Sequence, residues 1–187
     1  MSLLSRLFGG KSARAAWTAD PELSTQLGEA ETFGAYRIRP AAAMTRRDLD
    51  PQHPSADRFM YVGTAHADNY TPIFSASFTP IAEQTGKKAD LQSLIAPALR
   101  SFKSHHTDTA ILSEDVGTIG SLEFIRVTIQ GTRTMNSGKQ VEVRSIFLSG
   151  WDGDGCVSFA GQDSVPYADE SLKLMEASAC TLERVAA

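Results

Sequence analysis

The stretch that decides the fold runs from Thr118 to Gln130, where the sequence reads TIGSLEFIRVTIQ. Within it Ile125, Val127 and Ile129 fall on one side of an extended chain, and Arg126 falls on the other. Successive side chains of a β-strand point to opposite faces, so this period of two predicts a strand with at least one buried face.

Two more strand-like runs follow, KQVEVRSIFLS at 139–149 and CVSFAGQ at 156–162. The turn signals Asn136-Ser-Gly-Lys139 and Trp151-Asp-Gly-Asp-Gly155 separate the runs. Short turns of this composition join antiparallel neighbours. The second half of the chain therefore predicts an antiparallel meander.

Two amphipathic helices are predicted beside this sheet. Asp90 is a candidate N-cap, and apolar residues recur at helical spacing from there to Phe102. A second helix follows Val165-Pro166-Tyr167 and carries one continuous apolar stripe. The members of the stripe are Ala168, Leu172, Met175, Ala179, Leu182 and Ala186. Each helix must bury one face, so both are expected to pack on the sheet.

The first half of the chain supplies shorter strands. In 33–40, Tyr36 and Ile38 alternate with two arginines, and further strands are predicted at 58–64 and 72–79. The polar segment 41–57 contains two prolines and predicts a long loop. The predicted fold class is α+β, an antiparallel meander packed by two amphipathic helices.

Length, composition and net charge limit the kinds of function that this chain can have. A chain of 187 residues with 42% apolar and 21% charged residues is typical of one globular domain. The formal net charge is −4, and no run of lysines and arginines is long enough to follow a phosphate backbone. A nucleic-acid partner is therefore not expected.

The N-terminal stretch MSLLSRLFGG is a separate element in the prediction. Its apolar residues would share one side of a short helix: Leu3, Leu4, Leu7 and Phe8. Two interpretations stay open, a hook for a membrane surface or a partner groove, and a tail whose leucines cover a neighbouring surface. We predict a hook and flexible tether over residues 1–31 and a single domain over residues 32–187. A secretory signal is not recognised, so the predicted location is the cytoplasm.

Three segments together resemble a known family. They are the strand Tyr36-Arg-Ile-Arg-Pro40 with its following loop, the mid-chain helix before the meander, and Gly161-Gln-Asp-Ser-Val-Pro-Tyr167 running into the closing helix. In this layout the chain resembles the Mog1/PsbP-like family, over roughly Phe33 to Val185. The resemblance implies an α/β/α sandwich.

The better-known branches of that family bind a small GTPase or attach to the photosynthetic oxygen-evolving apparatus. The resemblance therefore implies a non-enzymatic binding or assembly role. No residue of this chain can be matched position by position to either interaction site, so no site residue is carried over.

Groups that can bind a metal occur at three places in the sequence. His105-His106 with Asp108, and His66 with Asp68, carry groups that can bind a metal. Adjacent histidines at a helix end more often complement the helix dipole and face water. Asp152-Gly-Asp-Gly155 resembles the start of a calcium loop, but the residues after it are not the ligands such a loop requires, and a hairpin turn explains the segment. No metal and no cofactor are predicted.

Catalytic patterns are also missing from the sequence. It contains no nucleophile elbow, phosphate-binding loop or dinucleotide fingerprint. Glu114 and Asp115 are adjacent on a predicted strand, so they should point to opposite faces and cannot share a proton. Cys156 and Cys180 lack the Cys-x-x-Cys spacing and are interpreted as reduced core residues. The chain is predicted not to be an enzyme.

Exposed aromatic side chains are the remaining candidates for function. Trp151 is predicted at a hairpin tip and Tyr70 in a loop, and Tyr167 is interpreted as packing at a helix entry. The predicted partner-binding residues are Leu3, Leu4, Leu7, Phe8, Trp151, Asp152 and Asp154. The predicted function is a non-enzymatic protein-binding or adaptor domain. The alternative is a small-ligand or metal-responsive binding domain that uses the sheet face opposite a helix.

Overall fold

The computed structural model describes residues 14–47, 57–80 and 90–185. The N-terminal strands and those of the first half are β1 (Ala15–Ala16), β2 (Glu31–Phe33), β3 (Tyr36–Ile38), β4 (Thr45–Arg47), β5 (Arg58–Val62) and β6 (Ile73–Pro80). The later strands are β7 (Thr107–Ile119), β8 (Leu122–Thr134), β9 (Gln140–Trp151), β10 (Gly155–Ser164) and β11 (Glu183–Arg184). The helices are α1 (Pro21–Ser24), α2 (Leu91–His105) and α3 (Val165–Ala179).

The strands form a large sheet and a small one. Among the described residues the large sheet has eight strands in the order β1-β7-β8-β9-β10-β6-β5-β4, and the small sheet has the order β11-β3-β2. Strands β7 to β10 pair antiparallel with their neighbours in sequence. The predicted meander is therefore confirmed, and so is the α+β class.

The large sheet lies between α2 and α3. On β8, Ile125 packs in one core cluster with Ile95 of α2, whereas the adjacent Phe124 packs with Leu172 and Met175 of α3. Adjacent strand residues point to opposite faces, so the two helices cover opposite faces of the sheet. The central strands are buried on both sides, which explains their long apolar runs.

The small sheet packs on the same face as α3. Its Phe33, Tyr36 and Ile38 join the α3 cluster and are each at most 1% exposed. The core here is aromatic, since the Phe33 ring meets Phe59 edge-on with centroids 5.3 Å apart. Such edge-to-face pairs add to the stabilisation from burial.

The α2 face has a polar end that the sequence did not predict. His105 is exposed, but His106 is only 9% exposed and stacks on the Phe102 ring at 3.9 Å, so the expectation that both face water is wrong for His106. Its Nδ1–H donates to the Phe102 carbonyl oxygen at 2.8 Å, and the amide of Gln162 donates to Nε2 at 3.2 Å. Burial lowers the pKa of His106, because it disfavours the charged form of the ring. Through its two hydrogen bonds the ring connects the end of α2 to β10.

The closing helix is shorter than predicted. It ends at Ala179, and the chain then forms β11, which pairs with β3. Leu182 is only 9% exposed and belongs to the α3 cluster, so it continues the apolar spacing without being helical. Ala186 lies outside the described residues.

The structure differs from two further predictions, both in the first half of the chain. The predicted loop 41–57 contains β4, which pairs with β5. Within the predicted tether, α1 forms one helical turn. Residues 14–18 are attached to the large sheet, because β1 pairs with β7 and the Trp17 amide donates to the Thr118 carbonyl oxygen at 2.8 Å. The domain boundary at residue 32 stays a prediction. In the described part of the chain no helix is long and apolar enough to cross a membrane.

Gly161 lets α3 approach the sheet closely. A Cβ atom there would lie 2.8 Å from Met175 Sδ and 3.0 Å from Ile146 Cγ2. We expect Gly161→Ala to overpack this interface and to lower the free energy of unfolding by about 1–3 kcal/mol. Chemical denaturation followed by circular dichroism measures the change.

Gly28→Ala is the matched control. A Cβ atom at Gly28 would make only ordinary contacts, 3.5 Å from the Pro40 carbonyl oxygen. It should change stability by less than about 0.5 kcal/mol. Equal effects of the two substitutions would show that α3 does not pack against the sheet through Gly161.

Candidate functional site

Two adjoining clefts lie beside α3 on the side of α1, and Leu23 and Lys173 line both. Together we call them the α3 groove. One cleft has a volume of about 340 Å³ and is also lined by Trp17, Asp20, Glu176 and Cys180. The other has a volume of about 830 Å³ and is also lined by His66, Tyr167, Asp169, Glu170 and Leu174.

Arg39 fixes α1 beside α3. Its backbone N–H donates to Thr181 Oγ1 at 2.8 Å, and its carbonyl oxygen accepts from Ser178 Oγ at 2.7 Å, which binds it to the end of α3. Its guanidinium donates to the carbonyl oxygens of Leu27 at 3.1 Å and Gly28 at 3.0 Å, just after α1. Local signals start α1 itself, because Asp20 caps the Glu22 amide at 2.8 Å and proline occupies the first turn.

A cation–π contact closes the first end of the groove. The Arg126 guanidinium lies 4.6 Å from the centre of the Trp17 ring and forms ion pairs with Glu176 of α3 and, at 3.1 Å, with Asp115 of β7. Gly117 makes room for the indole, since a Cβ atom there would lie 2.3 Å from Trp17 Cε2. One partly buried cation therefore holds the N-terminal segment, the sheet and α3 together.

Cys180 sits at this end of the groove without the environment of a reactive thiol. Burial and the neighbouring Glu176 carboxylate raise its pKa to about 12. Burial also raises the pKa of Cys156, and both cysteines are free. The thiol form therefore dominates at both positions near neutral pH.

The second end of the groove presents a fixed aromatic ring. Asp163 is fully buried, accepts from the Ser164 amide at 2.8 Å, and lies 3.0 Å from Nε2 of His66. The His66 ring stacks on Tyr167 with centroids 3.9 Å apart and planes 14° apart. Tyr167 remains 37% exposed, so the buried carboxylate positions the imidazole and the imidazole supports an exposed phenol.

The Asp163–His66 pair resembles two members of a catalytic triad, which would need a nucleophile within hydrogen-bond reach of the imidazole. In the described ranges no hydroxyl or thiol makes a hydrogen bond to the His66 ring. Among the described residues the arrangement orients an aromatic surface.

The lining of the α3 groove is acidic and partly apolar. Four carboxylates line it with Lys173, those of Asp20, Asp169, Glu170 and Glu176. Glu176 already pairs with Arg126, and Asp169 pairs with Arg144. Among the described residues the acidic character of the groove therefore comes from Asp20 and Glu170. Leu23, Leu174 and the Tyr167 ring supply apolar surface. Such a surface fits a segment that combines apolar side chains with lysine or arginine.

A comparison with protein-family models finds no match for this sequence, and a comparison with curated proteins finds none either. Solved structures do match. The solution structure of cyanobacterial PsbP (CyanoP) from Synechocystis sp. PCC 6803 matches with a TM-score of 0.60 and 8% identity, over 85% of this chain and 93% of that one. The crystal structure of the Saccharomyces cerevisiae Ran-binding protein Mog1p matches with a TM-score of 0.57 and 11% identity, over 84% and 95%. The fold is Mog1/PsbP-like.

A third match is a crystal structure from Bacteroides thetaiotaomicron, with a TM-score of 0.52 and 11% identity over 86% of this chain. This chain covers 49% of that longer chain. At these identities the matches establish the fold alone. The α3 groove must therefore be judged from its own residues.

Within this Mog1/PsbP-like fold the predicted hairpin residues lie away from the α3 groove. Asp152 Oδ1 accepts the amides of Asp154 and Gly155 at 2.8 and 2.7 Å, and its other oxygen accepts the buried Tyr36 hydroxyl. Asp154 pairs with Arg184 of β11 at 3.1 Å. Both aspartates thus attach the β9–β10 hairpin to the small sheet. Burial and the Asp152 hydrogen bond raise the pKa of Tyr36.

The predicted aromatic candidates differ in exposure. Trp151 ends β9 and is half-buried, and its role in binding stays a prediction. Tyr70, expected in an exposed loop, is only 2% exposed and belongs to the core below α2. Tyr167, interpreted as packing, does pack on His66 but also faces the groove. The predicted residues Leu3, Leu4, Leu7 and Phe8 lie outside the described residues.

Sequence reasoning missed the groove because it placed Trp17 and Leu23 in a tether. One local signal was available, since Asp20-Pro21-Glu22 is a typical helix start. The Asp163–His66 pair had no local sequence signal, because the two residues are 97 positions apart. The described residues contain no cluster of three or more potential metal ligands.

The raised pKa of Cys180 predicts slow alkylation. With a pKa of about 12, its thiolate fraction at pH 8 is roughly a thousand-fold below that of an ordinary thiol. We expect iodoacetamide to modify Cys180 at least about a hundred-fold more slowly in the native protein than in denaturant, as followed by mass spectrometry.

Ser137→Cys, on the exposed β8–β9 turn, provides the reference rate in the same protein. Labelling of native Cys180 as fast as Cys at this position would show that the Cys180 thiol is accessible and that its pKa is not raised.

Proposed function

We propose that this chain is a non-enzymatic protein-binding domain that recognises its partner through the α3 groove. The observation that carries the proposal is the exposed Tyr167 ring, held on His66 above the buried Asp163 carboxylate at the mouth of the groove. Tyrosine is among the residues that most often dominate binding energy at protein interfaces. A ring fixed before binding loses little conformational freedom when the partner arrives.

The chemistry of the groove indicates the kind of partner. Asp20 and Glu170 favour a segment that carries lysine or arginine, and Leu23 and Leu174 favour apolar side chains within that segment. A short amphipathic helix or an extended basic peptide has this composition. Mog1p is described as a Ran-binding protein, which supports a protein-binding role for this fold but does not identify the partner of this chain.

Two earlier expectations accompany the proposal. The hairpin residues Trp151, Asp152 and Asp154 remain a second predicted contact surface, although both aspartates already have structural partners. The adaptor role and the cytoplasmic location also remain predictions.

Site-specific photo-crosslinking in cells tests the proposal and separates the two surfaces. A photoreactive phenylalanine analogue replaces Tyr167 in the groove, Trp151 in the hairpin, or Ser137 on the exposed turn as a control. We expect one discrete protein adduct from position 167 and about ten-fold less from position 137, because only the groove seats the partner.

A second substitution makes the result specific. Leu23→Lys replaces apolar surface of the groove lining with a cation and should reduce the adduct from position 167 by at least about ten-fold, because it repels a segment that carries lysine or arginine. Circular dichroism confirms that the variant folds. Adducts of equal strength at 167 and 137, or a discrete adduct at 151 alone, would reject the groove as the binding site.

The small-ligand alternative is favoured by one feature, the imidazole of His66 beside a cleft of about 830 Å³. A ligand there would raise the melting temperature of the wild-type protein and not that of Tyr167→Ala. A thermal-shift screen of metabolites compares the two proteins directly.

A further inference from the structure

Tyr167 offers one ring face to the α3 groove. His66 stacks almost parallel on the other face, with the ring centroids 3.9 Å apart. Among the described residues no further ring packs on Tyr167, and 37% of its surface stays exposed. The same residue lines the cleft of about 830 Å³. A flat side chain of a partner can therefore stack on the second face of a ring that is already fixed in place.

A carboxylate that is free to bind stands beside that face. Glu170 is exposed and follows Tyr167 by three residues on α3, which places their Cβ atoms about 5–6 Å apart, and both residues line the same cleft. Within the described ranges no cation pairs with Glu170, whereas the neighbouring Asp169 pairs with Arg144. Glu170 is therefore the carboxylate at this end of the groove that can still accept hydrogen bonds from a partner.

The ring and the carboxylate together match the chemistry of arginine. A cation is attracted to a ring face within about 6 Å of the centroid, and a guanidinium in that place can also donate N–H bonds to Glu170. An ammonium group is a compact point charge that cannot stack as a plane, so lysine gains less from the same pair of groups. The α3 N-terminus opposes a cation through its dipole, and the buried carboxylate of Asp163, which directly precedes the helix, offsets this effect.

Leu174 indicates what should accompany the arginine. It follows Tyr167 by seven residues, which is about 10 Å along the helix, and it lines the same cleft together with Leu23. An extended chain covers about 10 Å in three residues, so it is the shortest kind of segment that spans the two positions. Lys173 also lines this cleft and disfavours a second cation next to Leu174.

We propose that the α3 groove binds an extended segment of its partner through one arginine and one apolar residue three positions away from it. The guanidinium stacks on Tyr167 and pairs with Glu170, and the apolar side chain packs on Leu23 and Leu174. The inference rests on the proposed function and adds to it the side chains that the partner must present. Tyr167 and Glu170 select arginine over lysine, and the two leucines set the spacing.

Nuclear magnetic resonance titration of the full chain tests the arginine subsite. The probe is the acetylated peptide amide Arg-Ser-Ser-Leu, and its matched control carries citrulline, which has nearly the same shape and no charge, in place of arginine. We expect the arginine peptide to shift the resonances of Tyr167 and Glu170 and to bind at least about ten-fold more tightly than the citrulline peptide. The lysine peptide should bind at least about three-fold more weakly than the arginine peptide.

Two variants assign this selectivity to its residues. Glu170→Gln and Tyr167→Leu should each lower the affinity for the arginine peptide about five-fold and leave the affinity for the citrulline peptide nearly unchanged. Asp108→Asn, which removes an exposed carboxylate at the start of β7, is the matched control and should change neither affinity. Circular dichroism confirms that all three variants fold.

Equal affinities for the arginine and citrulline peptides, or shifts that leave Tyr167 out, overturn the inference. Equal binding of Arg-Leu-Ser-Ser, whose leucine adjoins the arginine, overturns the spacing. Photo-crosslinking separates these failures from failure of the proposed function. An adduct from position 167 that Glu170→Gln leaves at full strength rejects the arginine subsite and keeps the groove as the binding site. Arginine selectivity at Tyr167 without any adduct supports the subsite and rejects the protein partner.

Discussion

The guanidinium of Arg126 is the contact on which the arrangement of this domain depends. It projects from β8, lies under the Trp17 ring, and pairs with Asp115 on β7 and Glu176 on α3. Its side chain is 24% exposed, so these interactions are only partly screened by water. Replacing one partner would leave the others partly buried and uncompensated, which costs more than a surface ion pair contributes.

The location of the α3 groove follows from this contact. Trp17 brings the chain onto the sheet next to α3, and α1 begins a few residues later with Leu23 facing the same helix. Arg39 fixes the far side of α1 by binding the backbone after it and the end of α3. The groove is thus formed between a helix and a segment that is attached by the β1–β7 pairing and by the side chains of Trp17 and Arg39. At the wider end Tyr167 lines the groove, and it stacks on His66, which in turn contacts Asp163.

The sequence predicted the parts of the fold whose signals are local. The alternation in β8 and β9, the Asp90 cap of α2 and the apolar stripe of α3 each come from neighbouring residues. The errors have a common physical cause. Leu182 keeps the helical spacing because it packs into the same core after α3 has ended. His106 is buried against the Phe102 ring and has a hydrogen-bond partner in Gln162 of β10, which is distant in sequence. Trp17 and Arg126, and His66 and Asp163, meet through tertiary structure alone, so the site they form has no local signature.

The Mog1/PsbP-like fold constrains function less than the groove does. Structures that share it at 8–11% identity establish a scaffold, while function resides in the side chains placed on that scaffold. Here those side chains are a positioned tyrosine, two leucines and a set of carboxylates. In the proposed function they bind a basic and apolar protein segment, and they are separate from the hairpin residues that the sequence first suggested.

A double-mutant cycle between Trp17 and Arg126 tests this account most directly. The unfolding free energies of the wild-type protein, Trp17→Leu, Arg126→Met and the double variant are measured by chemical denaturation. If the cation–π contact holds the N-terminal segment to the sheet, the coupling energy should be about 1 kcal/mol or more. Additive effects, within about 0.3 kcal/mol, would show that the segment is not attached through Arg126 and would contradict the account.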